Sequence, residues 1–294
     1  MVAVLALAVL TACSAGQSTA APTGNGESAC AGGTTRTFTV SGQQRAVVEH
    51  LPAGFVPSTK YPVVIAFPGR GETPADLEGY SQLDTVDAIV LYAKGIDGKG
   101  GKPTWEATPY LDSAAHDYEF ATDLVKWLAA SPCVDATRIG LAGKSDGAGF
   151  ATSAACTISG IAAVAAISGA FYQQYNHCAG TGQPVPMLDM HGTSDSVMPY
   201  AGIADRGVYS IDAWLQLWRQ RDRCTDPGVD DTIASDVVRT TWTCADGGQV
   251  VNYRVIGGGH NWPGATAASG PGGTTHSVDA AQAIAAFLAA HPRS

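Results

Sequence analysis

The segment with the clearest chemical meaning is the G-x-S-x-G motif GKSDG at residues 143–147. An apolar run ends at Ala142, directly before it, and a helical pattern begins at Gly147. A serine on a sharp turn from strand to helix exposes its hydroxyl, and the two flanking glycines leave room for that turn. In a chain with 35 glycines the motif also arises by chance, so its position between strand and helix carries the argument. The motif predicts Ser145 as a nucleophile.

A serine nucleophile needs a histidine base, and the base needs a carboxylate that fixes its tautomer. In α/β-hydrolases the three follow the order Ser, acid, His. Asp195 comes just after the apolar strand that starts at Val185, and His260 comes after three glycines that follow the last predicted strand. Both positions lie at the carboxyl ends of strands, where such sheets carry their sites. We expect Ser145, Asp195 and His260 to form a catalytic triad.

The sequence leaves one rival for the acid and one for the base. Asp189 is a second carboxylate in the same segment, but it lies inside the predicted strand. His276 opens the final helical pattern, where a role in a helix cap is an alternative.

A tetrahedral intermediate also needs two backbone N–H donors, one after the nucleophile and one from the loop after an early strand. The amides of Asp146 and Arg70 are the candidates, because Pro68 in the early loop FPGRG has no N–H. The alternative is a glycine-rich turn without a catalytic role.

The elements that would position these residues alternate between apolar strands and longer helical patterns. Continuous Val/Ile/Leu/Ala runs are typical of parallel strands covered on both faces. The predicted strands are an antiparallel pair at 36–51 and single strands at 62–67, 88–92, 138–142, 162–168, 185–191, about 237–243 and 250–256; the predicted helices are 120–130, 147–157, 211–221 and 278–288. This pattern predicts an α/β-hydrolase fold with a mostly parallel central sheet.

The N-terminus begins with an apolar run of about 12 residues, too short to span a bilayer. It resembles a signal peptide of the bacterial lipoprotein type over residues 1–12, with Cys13 as the lipidated residue. Plain secretion and a buried helix are the alternatives. Residues 13–29 are rich in Ser, Ala, Gly and Thr and are expected to be a tether, leaving 30–294 as the catalytic domain. The protein would then be secreted or lipid-anchored at the cell surface.

Six further cysteines suit an oxidising compartment and predict three disulfides, with 15 connectivities open. Cys133 precedes a strand, and Cys156 lies about 16 Å along the helix that returns to the same sheet edge, so we expect these two to pair. Cys224 and Cys244 bracket a short polar excursion and would close one loop. Cys30 and Cys178 then remain as the third pair.

Composition excludes some classes of protein. The formal net charge of −9, with only 17 Lys and Arg, argues against nucleic acid as a partner, since binding its phosphates needs clustered cations. No metal-ligand spacing such as CxxC or HExxH occurs. We therefore expect no metal and no cofactor, and an ester substrate as the main partner.

Together these segments resemble carbohydrate esterase family 1, in particular secreted feruloyl esterases and relatives similar to polyhydroxybutyrate depolymerases. The matching stretches are PVVIAFPGRG, CVDATRIGLAGKSDGAGF, ISGAFY, PVPMLDMHGTSDSVMPY and VIGGGHNWPG. The sequence departs from the family at Pro68, where His is usual, and at Asp146, where Asn is common.

The resemblance implies a serine esterase acting on phenolic or short acyl esters of polysaccharide. Trp262, Tyr200 and Trp105 are the candidates to line a substrate site, because aromatic side chains suit a flat acyl group; a place in the core is the alternative for each. Polyhydroxyalkanoate depolymerase or serine peptidase activity, or a non-catalytic cell-surface binding role, are the competing functions.

Overall fold

The fold is built on one ten-stranded sheet. The structure, a computed structural model, describes residues 28–31, 35–111, 115–178 and 182–293. The strands are β1 (Thr35–Val40), β2 (Gln43–His50), β3 (Tyr61–Phe67), β4 (Ile89–Ala93), β5 (Ile96–Asp97), β6 (Pro103–Thr104), β7 (Val134–Lys144), β8 (Val164–Ile167), β9 (Met187–Gly192), β10 (Val229–Ala234), β11 (Val237–Thr243) and β12 (Gln249–Val255). The short β5 and β6 form a separate hairpin.

The sheet has the order β1-β2-β4-β3-β7-β8-β9-β12-β11-β10. Its six central strands, from β4 to β12, are parallel, and an antiparallel pair flanks them on each side. The carboxyl ends of the parallel strands therefore meet at one edge. The predicted α/β-hydrolase fold with a mostly parallel sheet is confirmed.

Helices cover both faces of this sheet and create two apolar cores. They are α1 (Pro74–Ser81), α2 (Asp117–Ala129), α3 (Asp146–Thr157), α4 (Ile211–Arg221) and α5 (Ala280–Ala290). Side chains alternate along β3, so that Val63 and Ile65 pack with α2, α3 and α4, while Val64 packs with α1 and α5. Burial on both faces explains why these strands are continuous apolar runs.

Besides the two-residue strands β5 and β6, one helix and one longer strand were not predicted. Helix α1 is only eight residues long, and it depends on a local capping box between Thr73 and Asp76 and on Pro74 in its first turn. Strand β10 lies in the segment that the sequence suggested was a polar excursion. Nearly all of its residues are exposed, so it has no buried face to produce an apolar alternation.

The disulfides correct two of the three expected pairs. Cys30 bonds to Cys133, and Cys156 bonds to Cys178, whereas the Cys224–Cys244 pair is confirmed. The expected Cys133–Cys156 and Cys30–Cys178 pairs are wrong, because a shared sheet edge does not bring two cysteines within bonding distance.

Local contacts determine the actual partners. The first described segment lies against the turn after α2, where the Ala29 amide donates to Ser131 Oγ. The loop before Cys178 returns along α3, where the His177 amide donates to Ser153 Oγ.

The predicted leader 1–12, Cys13 and the tether up to residue 27 lie outside the described residues. Among the helices of the described part, none has the length and apolar character needed to cross a membrane.

Candidate active site

Ser145 occupies the sharp turn between β7 and α3. Its backbone has φ 53° and ψ −121°, a conformation that L-residues adopt rarely. Glycine is required two residues later, since a Cβ on Gly147 would lie 2.1 Å from the Phe67 carbonyl oxygen. A Cβ on Gly143 would lie 2.4 Å from the Gly147 backbone. The two motif glycines therefore permit the close packing that holds the serine at the end of its strand.

Asp195 and His260 are brought together from positions that follow β9 and β12. The His260 Nδ1 atom lies 2.7 Å from Asp195 Oδ2. The other carboxylate oxygen, Oδ1, accepts hydrogen bonds of 2.8 Å from the amides of Val197 and Met198. Burial opposes ionisation of Asp195, but the hydrogen bond and charge of His260 outweigh it, so the pKa of Asp195 is lowered. A carboxylate here keeps the proton of neutral His260 on Nδ1 and leaves Nε2 able to accept one.

The rival acid and base have other surroundings. Asp189 lies within β9, is fully buried, and accepts a 2.8 Å hydrogen bond from Asn252. Burial raises the pKa of Asp189 to about 7. His276 is exposed. Only Asp195 of the two carboxylates contacts His260.

His260 also lies close to the serine turn. Lys144, the residue before Ser145, donates to the Ser269 carbonyl, and the Ser269 amide donates to Asn261, the residue after His260. The Ser145 hydroxyl itself makes no hydrogen bond to a residue of the described ranges. Contacts between nucleophile and base are often loose in the absence of substrate.

The two backbone amides proposed as oxyanion donors are available to bind a ligand. Within the described part of the chain, neither the Arg70 amide nor the Asp146 amide donates a hydrogen bond. The Asp146 amide belongs to the first turn of α3, where N–H groups have no helical partner. On either side of Arg70, the amide of Gly69 donates to Glu72 Oε2 and that of Gly71 donates to the Pro103 carbonyl. The turn after β3 thus leaves the Arg70 N–H free.

The Asp146 side chain is buried beside these amides. Its Oδ2 accepts a 3.1 Å hydrogen bond from Thr104 Oγ1. Burial raises the pKa of Asp146 to about 6, and the hydrogen bond from Thr104 and the charges of Arg70 and His260 limit the rise. The carboxylate is therefore turned toward Thr104, and its charge changes near pH 6.

The aromatic residues suggested as a substrate wall need correction. Trp105 and Trp262 are 1% and 0% exposed, so neither presents a surface to a substrate in this conformation. Trp105 instead donates from Nε1 to the Pro68 carbonyl and stacks on Phe150. Tyr200 is partly buried and packs edge-on against His191. Closeness in sequence to His260 did not indicate in which direction Trp262 points.

The sequence did not predict a cluster of two arginines and two tyrosines near Asp146. Arg206 Nη2 donates to the Tyr110 hydroxyl at 2.7 Å and lies 3.4 Å from that of Tyr172. The Arg70 guanidinium lies 4.2 Å from the centre of the Tyr110 ring. These residues come from separate loops, and no sequence signal joins Arg206 to a tyrosine 96 positions away.

Comparison with known proteins agrees with this geometry. The chain is 27% identical over 231 residues to feruloyl esterase B of Piromyces equi, covering 74% of the chain and 42% of that protein. It is 27% identical over 186 residues to feruloyl esterase D of Neurospora crassa, covering 58% and 59% of the two chains. This chain is similar in sequence to feruloyl esterases. It spans about two-fifths to three-fifths of the length of these two relatives.

Two further matches concern the family model and the fold. Residues 117–222 match the family described as BAAT / Acyl-CoA thioester hydrolase C terminal. The acetyl xylan esterase from Aspergillus awamori superposes with a TM-score of 0.55 at 16% identity, over 78% of this chain and 94% of that one. The resemblance to serine esterases of the feruloyl esterase type is thereby confirmed, and the structural match supports the fold.

Proposed function

We propose that the protein is a serine carboxylic-ester hydrolase that acts through an acyl-enzyme. The observation that carries the proposal is the 2.7 Å hydrogen bond between His260 and Asp195 at the sheet edge that also holds the Ser145 turn. The amides of Arg70 and Asp146, which donate to no partner among the described residues, add the donors that ester hydrolysis needs. Residues 30–294 would form the catalytic domain.

In the proposed reaction, Ser145 Oγ attacks the ester carbonyl carbon while His260 Nε2 takes the hydroxyl proton. The carbonyl oxygen becomes an oxyanion, which the Arg70 and Asp146 amides stabilise. The ester bond then breaks, and His260 returns the proton to the departing alcohol. Water repeats the sequence on the acyl-enzyme and releases the acid. Asp195 stabilises the charged imidazole during both steps and is not itself protonated.

The substrate class that we propose is a phenolic or short acyl ester of a polysaccharide. The relatives named as feruloyl esterases and the fold match to an acetyl xylan esterase support this class. Tyr110 is only partly buried and accepts a 2.7 Å hydrogen bond from Arg206, so it supplies an aromatic ring and a hydroxyl that suit a phenolic acyl group.

We also propose that the protein is exported and tethered by lipid at Cys13. The three disulfides favour an oxidising compartment. In the native host, a Cys13→Ala precursor should lose lipid labelling and detergent-phase partitioning. Unchanged membrane retention would contradict the anchor.

Hydrolysis of three substrates tests the activity and its specificity: methyl ferulate, p-nitrophenyl butyrate and a polyhydroxybutyrate film. We expect the two soluble esters to be cleaved, methyl ferulate with the higher kcat/KM, and Ser145→Ala to cleave neither. Preference for the film would favour the polyester depolymerase alternative, and no cleavage of any ester would contradict the proposal.

A further inference from the structure

Lys144, the residue before the nucleophile, is a buried cation. Its side chain is only 2% exposed. The ammonium donates to Glu72 Oε1 at 2.7 Å and to the Ser269 carbonyl, and it lies 5.3 Å from the centre of the Tyr80 ring. Burying an ammonium is costly unless it is paired and hydrogen-bonded, so the surrounding segments must stay in place around it.

One partner connects Lys144 to the turn that carries the Arg70 amide. Glu72 Oε2 accepts 2.8 Å hydrogen bonds from the Gly69 amide and from the Tyr80 hydroxyl. The carboxylate therefore joins the ammonium on one oxygen to the backbone beside Arg70 on the other. Without Lys144, this carboxylate would lose its cation and would be free to release the Gly69 amide.

The second partner connects Lys144 to the loop that carries His260. The Ser269 amide donates to Asn261 Oδ1 at 2.9 Å, and Ser269 Oγ accepts from the Trp262 amide at 2.8 Å. Asn261 and Trp262 are the two residues after His260. The Ser269 carbonyl, held by Lys144, therefore belongs to a segment bonded directly to the neighbours of the base.

We propose that Lys144 is a positioning residue that holds the oxyanion turn and the base loop in register with Ser145. It does not touch the substrate and acts through Glu72 and Ser269. The proposal rests on the ester hydrolase function proposed above. Because an oxyanion donor works only when it is aimed at the developing charge, loss of the cation should weaken transition-state binding more than substrate binding.

Three variants test this: Lys144→Met, Glu72→Gln and the double variant, with Lys126→Met on the surface of α2 as the matched control. Activity is expressed per active site titrated with a fluorophosphonate, so that unfolded protein does not count. For Lys144→Met we expect kcat to fall on the order of 10- to 100-fold, less than the 10²–10³-fold typical of deleting an oxyanion donor, with KM changed by less than about threefold. The affinity for a boronic acid that forms a tetrahedral adduct should fall in parallel. Glu72→Gln should show the same pattern, and the double variant should lose much less than the product of the two losses.

Other outcomes would overturn the proposal. One such outcome is a Lys144→Met enzyme that keeps the wild-type kcat and boronic acid affinity per titrated site. In that case the total activity falls only because fewer sites can be titrated. If Lys144→Met does not fold, Lys144→Arg replaces it in the comparison with Glu72→Gln. An unchanged kcat in Glu72→Gln, or losses of kcat that are additive when Glu72→Gln and Lys144→Arg are combined, would then overturn the proposal. Wild-type protein and Ser145→Ala, assayed alongside, separate this failure from failure of the hydrolase function, since only the latter gives an inactive wild type or an active Ser145→Ala.

Discussion

At the residue level, the two carboxylates of one segment differ in what they contact. Asp195 receives His260 and two backbone amides, whereas Asp189 receives Asn252 inside the sheet. The first arrangement stabilises a carboxylate beside a base, and the second buries a carboxyl that has no cation beside it within the described part of the chain. The two carboxylates differ because Asp189 lies inside strand β9, whereas Asp195, six residues later, follows the end of that strand.

Asp195→Asn should lower kcat by about 10⁴-fold, because an amide in place of the carboxylate favours the wrong tautomer of the base. Asp189→Asn is the matched control and should stay within about threefold of wild type. Steady-state kinetics on p-nitrophenyl butyrate measure both. A severe loss in Asp189→Asn together with a mild one in Asp195→Asn would reverse the assignment.

Asp146 gives the site a pH dependence of its own. The pKa of about 6 means that its carboxyl is neutral at pH 5 and charged at pH 8. A negative charge beside the oxyanion opposes the intermediate, so Asp146→Asn should raise kcat/KM at pH 8 by about fivefold, equal to ~1 kcal/mol of repulsion, and leave it unchanged at pH 5. The ratio of variant to wild-type kcat/KM from pH 5 to 8 checks this. A ratio independent of pH would show that the carboxylate does not act on the oxyanion.

At the level of elements, the serine turn depends on backbone packing between α3 and the turn after β3. Gly147→Ala would place a Cβ within 2.1 Å of the Phe67 oxygen, so the free energy of unfolding should fall by about 3 kcal/mol. Gly79 in α1 is exposed with open space around it, and Gly79→Ala should be more stable by about 1 kcal/mol. Urea denaturation compares the two. A Gly147→Ala variant as stable as wild type would contradict the packing argument.

Comparing the predicted with the observed elements shows which kinds of helix and strand can be predicted from the sequence. Strands buried on both faces, such as β3 and β7, are continuous apolar runs and were predicted to within a few residues, except for the start of β7. Helix α1 and strand β10 were missed because a short capped turn and an exposed edge strand have no apolar period. The proposed triad residues could be picked out from the sequence because each follows a strand of the parallel sheet.

At the level of the whole molecule, the three disulfides join segments that are separated by 20 to 103 residues in the sequence. Cys30–Cys133 closes 103 residues and ties the first described segment to the turn after α2. The sequence indicated which sheet edge a cysteine occupies but not its lateral position, which depends on how loops cross the helices. The direction in which Trp105 and Trp262 point depends on the paths of loops in the same way, so the motifs around these residues did not predict it.

Peptide mapping without reduction should recover Cys30 linked to Cys133 and Cys156 linked to Cys178. Replacing both Cys30 and Cys133 by Ser should lower the free energy of unfolding by about 2 to 5 kcal/mol. Removing the pair leaves the site residues in place, so activity at low temperature should remain. A Cys133–Cys156 peptide would contradict the structure at this edge.

The most direct test of the central claim is the site of covalent modification by a fluorophosphonate. We expect one adduct per chain, located on the Ser145 peptide by mass spectrometry, with ester hydrolysis lost in proportion to labelling. Ser145→Ala should neither label nor hydrolyse esters, while Ser194→Ala, an exposed serine beside Asp195, should behave as wild type. Labelling on another residue, or ester hydrolysis that persists in Ser145→Ala, would contradict the assignment of Ser145 as the nucleophile.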